Sequence, residues 1–213
     1  MEFLPDLTTF VTFTIAVWVL AITPGPDMTA SIARSLSDGK AGGMMVVLGT
    51  STGLIIHTLL VALGISALII ASPTAFTLLK TGGAAYLVWL AIQAIRHGSS
   101  LSVKRADGPV KSRLANYLTG FWVNLLNPKV ILFFMTFLPQ FVTAHDPNVT
   151  AKLLFFGIFF IVAAMPVNIA VILTADWLSA WLQRKKGVMR AIDYTFAGVF
   201  SIFAVKILFT QTR

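Results

Sequence analysis

Apolar residues run through this 213-residue chain in long stretches, each closed by a short polar or basic interval. A stretch of about 20 apolar residues is the length that crosses hydrocarbon as a helix, so the pattern predicts spanning helices. Six segments are expected, at about residues 7–36, 44–70, 74–95, 114–142, 153–183 and 188–210. Several exceed the minimum, which predicts tilt or kinks. Pro166 is expected to kink the fifth segment, and Pro73 to close the turn after the second.

Composition narrows the class. Hydrophobic residues make up 57% of the chain and charged ones 11%, too few charges to cover a water-facing surface. The fold class expected is an all-α integral membrane protein. Cysteine is absent, which removes disulfides, thiol chemistry and cysteine metal sites. The N-terminus carries Glu2 and Asp6 and no basic residue before the first apolar run, so that run is expected to be retained rather than cleaved as a signal peptide.

The net charge of +8 is unevenly placed. Arg34 and Lys40 follow the first segment; Arg96, Lys104, Arg105, Lys111 and Arg113 follow the third; Arg184, Lys185, Lys186 and Arg190 follow the fifth. Eleven of the 16 Lys and Arg residues thus fall in alternate loops, which predicts that those loops face the cytoplasm and both termini face outside. The charge is then explained by contact with anionic membrane lipid, and no nucleic-acid partner is expected. The polar stretch at about 98–111 is the expected cytoplasmic linker within one transmembrane domain spanning residues 1–213. It separates halves at about 1–97 and 112–213, each with three segments.

Three segments per half require the halves to enter the membrane in opposite directions, an inverted 3+3 repeat. Both first segments are interrupted: Thr23-Pro24-Gly25-Pro26-Asp27 breaks segment one, and Asn127-Pro128-Lys129 breaks segment four. Thr23 is expected to cap a fresh helix with Pro24 at its first position, and Asn127 and Pro128 to do the same in segment four. At 1.5 Å per residue the breaks lie ~22 Å and ~20 Å into their segments, within the bilayer. Two helix N-termini meeting there favour an anionic group. Lys129 adds a positive charge, and Asp27 receives an ammonium or carries a proton. The pocket suits a zwitterion; the alternative is that Asp27 and Lys129 form only a structural ion pair between the halves.

Other polar residues read two ways. His57, mid-segment, either passes a proton or is a hydrogen-bonded core histidine. Lys80, near the start of segment three, either serves the site or snorkels to the interface. Asp176 and Lys206 are expected to reach the interfaces, and Asn168 to satisfy backbone near Pro166 or to touch a solute. Only Asp27 and Asp176 are credited as acidic residues within the segments, which ranks a neutral cargo above a doubly charged cation. No catalytic residues, cofactor or metal site are expected: Ser-His-Asp, His/Glu and Walker spacings are missing, and three scattered histidines disfavour metal efflux.

Several motifs occur in order: Pro24-Gly25-Pro26-Asp27-Met28; Gly49, Gly53 and His57; Lys80 ahead of Gly83-Ala84-Ala85-Tyr86-Leu87; Asn124-Leu125-Leu126-Asn127-Pro128-Lys129; and Phe137 to Phe141. The set, spanning most of the chain, resembles the LysE/RhtB family of bacterial amino-acid exporters, closest to its threonine, homoserine and homoserine-lactone branch. The resemblance implies a multi-pass protein of the bacterial inner membrane that exports amino acids in exchange for protons. It assigns Pro24, Gly25, Pro26 and Asp27 to one break, Asn127, Pro128 and Lys129 to the other, and Lys80 to the basic position opening segment three. Because the family varies at the Asp27 position, it implies that Asp27 tunes substrate more than it drives coupling. The expected partners are a small amino acid, protons and membrane lipid, with a homo-oligomer left open. A pore, or export of a solute other than an amino acid, is the alternative function.

Overall fold

Asp6 starts the first helix by accepting the Thr9 amide at 2.9 Å, a side-chain cap on otherwise unpaired N–H groups. The computed structural model describes residues 5–97, 109–143 and 146–210. The helices are α1 (Leu7–Ile22), α2 (Pro26–Ala71), α3 (Pro73–His97), α4 (Arg113–Leu125), α5 (Pro128–Phe137), α6 (Val149–Leu173), α7 (Ala175–Arg184) and α8 (Lys186–Thr210). A short 3-10 turn, Leu138–Phe141, extends α5, and no strand occurs among the described residues. The predicted linker falls largely outside the described residues.

Glycine sets the largest turn. Gly39, at φ 78° and ψ 172°, adopts a conformation open in practice only to glycine and cuts the 46-residue α2 into two helical pieces. Their directions follow from α4. Before Gly39, Asp27 meets Asn124 and Asp38 meets Asn116, so that piece runs antiparallel to α4. After Gly39, Gly42 abuts Asn116 and Gly53 abuts Asn124, so the second piece runs parallel to it. The chain folds back at Gly39. Further along, a side chain at Gly49 would overlap the Tyr117 carbonyl, and one at Gly120 the Val46 carbonyl. The two helices therefore touch backbone to backbone, the small-residue contact that substitutes for hydrophobic driving force in lipid.

Among the described residues, four helical stretches are long and apolar enough to cross a membrane: Pro26–Leu68, Thr74–Arg96, Val149–Leu173 and Gly187–Val205. There are five if Arg113–Leu125 and Pro128–Phe141, bent by 53°, count as one broken span. Leu7–Ile22, with 16 residues, is short. The expected segments map onto α1 with residues 26–38, residues 40–71, α3, α4 with α5, α6 with α7, and α8.

One local expectation is corrected. Thr23 ends α1 instead of starting α2, and Pro24 lies in neither helix; Gly25 caps α2 and Pro26 opens it. Each proline disfavours helical backbone at the residue before it; Thr23 (ψ 117°) and Gly25 (ψ −178°) are both extended, and the helix restarts only after the second proline. In the fifth segment α6 runs on through Pro166, and the interruption falls at Thr174. The Trp18 indole donates to the Ala163 carbonyl at 3.2 Å, in the turn ahead of Pro166 where the proline ring disturbs backbone pairing.

A phenylalanine cluster fills the other face. Phe13 of α1, Phe133 and Phe137 of α5, Phe156 of α6 and Phe200 of α8 are fully buried, with Phe137 stacked on Phe133 at 4.6 Å. These offset and edge-on contacts join four helices by dispersion, which remains favourable where lipid is the solvent. The cluster fixes α5 directly beside the second break.

Candidate functional site

The two interruptions meet. Asn127 caps α5 by accepting the Lys129 amide on Oδ1 at 3.0 Å, and its Nδ2 donates to Asp27 Oδ1 at 3.1 Å. Asn124, one turn earlier, donates from Nδ2 to Asp27 Oδ2 at 2.7 Å. One carboxylate at the start of α2 is thus held by two amides from the α4–α5 break, a charge-assisted arrangement stronger than neutral pairs. Lys129 returns the link: its Nζ donates to the Thr23 carbonyl at 3.3 Å, beside Gly25 and 5.2 Å from the Phe196 ring.

Asp27 and Lys129 do not pair. Arg34–Asp38 and Lys152–Asp146 are ion pairs within 4.0 Å, and no such pair joins Asp27 to Lys129. Asp27 and Lys129 instead line one cavity of about 90 Å³, along with Thr23, Gly25 and Asn127 on its polar side. Phe133, Phe134 and Phe160 supply an apolar wall. The volume suits several waters or a small solute. Gly25 and Asn127 are the N-caps of α2 and α5, so both helix N-termini border the space. The arrangement offers a cation, an anion and two positive dipole ends within one small chamber.

The other expected residues are placed as follows. His57 is buried with Nε2 3.4 Å from the Asn124 carbonyl, so it reaches Asp27 through Asn124 and does not line the cavity. Lys80 stands apart on α3, its ammonium 5.5 Å from the Phe76 ring. Pro24, Pro26 and Pro128 shape backbone. Asp176 is exposed, as an interface residue would be, while the Lys206 side chain lies outside the described part. No group of three potential metal ligands occurs among the described residues.

Sequence reasoning missed two members. Asn124 was quoted only inside a motif, although an amide between Val123 and Leu125 in a spanning segment demands a partner. Thr50 also lines the cavity, and so does Asn168, for which contact with a solute is one of the two expected roles. The acid count was one short: Asp193 lies inside the sixth segment and is 3% exposed.

Comparison with known proteins decides the family. The model of the LysE type translocator family matches residues 18–211. This chain belongs to the LysE type translocator family. A LysE type translocator is a transporter, not an enzyme, and with its apolar helices the chain is a multi-pass protein of the bacterial inner membrane. Its relatives include the homoserine/homoserine lactone efflux protein of Salmonella typhimurium, 33% identical over 86% of this chain and 88% of the relative. An uncharacterized membrane protein of Vibrio cholerae is 36% identical over 67% of this chain and 68% of its own length. The threonine efflux protein of Escherichia coli K12 is 27% identical over 96% of this translocator and 100% of the relative. No solved structure matches the chain. Membership and relatives together support amino-acid export as the class of activity.

Proposed function

We propose that this translocator exports small neutral amino acids or close derivatives, of threonine or homoserine size, in exchange for protons. The observation that carries the reading is the unpaired placement of Asp27 and Lys129 on one cavity. A zwitterion has the complementary charges: its carboxylate meets Lys129 and the helix N-termini, and its ammonium meets Asp27. Asp27 carries the returning proton when substrate is absent, with His57 one residue removed as a relay. The efflux relatives handle homoserine, its lactone and threonine by name, which agrees in size and charge.

The transport cycle we propose is alternating access of two inverted three-segment halves, within a single domain of six spans whose termini face outside. Two features support it: residues 26–38 run antiparallel to α4, and the breaks at Thr23–Gly25 and Asn127 touch. Chain breaks near mid-membrane give each half a hinge. A pore lined by the same breaks is the competing function.

Uptake of a labelled amino-acid panel into everted membrane vesicles tests this. Saturable uptake of one amino-acid class, abolished by a protonophore and lost in Asp27→Asn, is expected. Non-saturating flux indifferent to the protonophore favours the pore, and no accumulation across the panel with insertion confirmed removes amino acids as cargo.

A further inference from the structure

Lys129 has a second acidic neighbour. Asp193 is buried in α8, a helix outside both breaks, at 3% exposure. It precedes Phe196 by three residues, so the two share one face of α8. That face meets the site, because the Phe196 ring lies 5.2 Å from the Lys129 ammonium. The charge of Asp193 acts on Lys129 alongside that of Asp27. Within a bilayer, an ionisable side chain facing the protein interior pairs with other charges or backbone, and it marks function more often than packing.

The two acids differ in their holding. Both oxygens of Asp27 accept amides from the α4–α5 break, which fixes them for a ligand ammonium. The Lys129 ammonium donates to one carbonyl, that of Thr23, and lies near one ring. One hydrogen bond does not satisfy three ammonium protons. A carboxylate on α8 supplies balancing charge to Lys129 from the side of the Phe196 ring.

We infer that Asp193 is a positioning residue of the transport site, acting through Lys129 to orient its ammonium for the substrate carboxylate. The inference rests on the zwitterion reading of the cavity and adds α8 to the elements that define it. Asp193 sets specificity for one end of the substrate only. Substrates with a free carboxylate depend on it; carboxyl-blocked analogues, which do not use Lys129, do not.

The test is transport kinetics in everted vesicles with a free amino acid and its methyl ester. Asp193→Asn, Asp193→Glu, Lys129→Gln and the Lys129→Gln/Asp193→Asn pair are compared with wild type. Asp193→Asn is expected to raise KM for the free acid about tenfold, to leave the ester within about twofold, and to be rescued by Asp193→Glu. Added to Lys129→Gln, Asp193→Asn changes nothing further, since a residue acting through a partner has no effect without it. Equal effects on acid and ester, additivity with Lys129→Gln, or an unchanged KM overturns the inference. If Asp193→Asn does not insert, Asp193→Thr takes its place. Failure of both neutral variants to insert, with Asp193→Glu inserting, assigns Asp193 to folding and also overturns it. Wild type that transports neither compound contradicts the zwitterion reading itself, a result distinct from any of these.

Discussion

Asn124 reaches across the molecule to Asp27, its amide nitrogen 2.7 Å from the carboxylate oxygen, and so joins the end of α4 to the start of α2. The contact spans 97 residues of sequence and holds together the two places where the helices are cut. Its removal tests whether the breaks depend on each other. Asn124→Leu leaves Asp27 with one amide and is expected to destabilise the protein by about 1–3 kcal/mol. Transport should fall at least tenfold. Thermal unfolding in detergent and vesicle uptake measure the two effects; normal transport in a stable Asn124→Leu protein contradicts the role given to this contact.

Gly39 makes a second prediction. Its backbone lies where residues with a Cβ are strained, and no neighbour within 4 Å would obstruct a methyl group, so the cost of Gly39→Ala is conformational and not steric. A loss of about 1–3 kcal/mol is expected. An unfolding midpoint equal to wild type would show that the turn tolerates an ordinary backbone.

At Gly49 the reason reverses. Its backbone is helical, and a Cβ would run into the Tyr117 carbonyl of α4, which cannot rotate away. Gly49→Ala should separate α2 from α4 and cost about 1–3 kcal/mol, as overpacking does elsewhere. Because α4 carries Asn124, transport should decline in step with stability. The check is the yield of folded protein after detergent extraction, followed by uptake.

The loop before α6 supplies a pH dependence. Burial acts to raise the Asp146 carboxyl, but the Lys152 ammonium and the Asn148 amide outweigh it and hold it below the usual carboxylate range. A depressed folded pKa adds stability that is fully present above the unfolded value near 4 and is lost as pH falls through the folded value. The pair should therefore contribute a constant amount between about pH 5 and 8 and fade only below about 4. Unfolding of wild type and Asp146→Asn should converge in acid and differ by the same margin across neutral pH. A margin that changes between pH 5 and 8 contradicts the assignment.

Much of the site was legible because backbone chemistry is local. Pro and Gly in apolar runs announce interruptions, and Asn127 ahead of Pro128 announces a capped restart, which the structure shows. Two prolines in alternation were harder: Pro24 and Pro26 both suit a first helical position, and only the extended backbone each imposes on its predecessor places the start at Pro26. What a polar side chain touches is not local. Lys80 and Lys129 both read as cations in segments, and tertiary packing alone sends one to the cavity and the other to Phe76. Asn124 showed the need for a partner without showing that the partner was Asp27.

We propose that the cavity holds both ends of a zwitterion, with Lys129 on the carboxylate and Asp27 on the ammonium. Direct binding to purified protein tests it, using a free amino acid, its methyl ester and its N-acetyl derivative on wild type, Lys129→Gln and Asp27→Asn. Wild type should bind the free amino acid at least about tenfold more tightly than either blocked form. Lys129→Gln should lose the discrimination against the ester alone, and Asp27→Asn the discrimination against the N-acetyl form alone. Variants that discriminate as wild type does, or that lose both preferences together, would contradict the account.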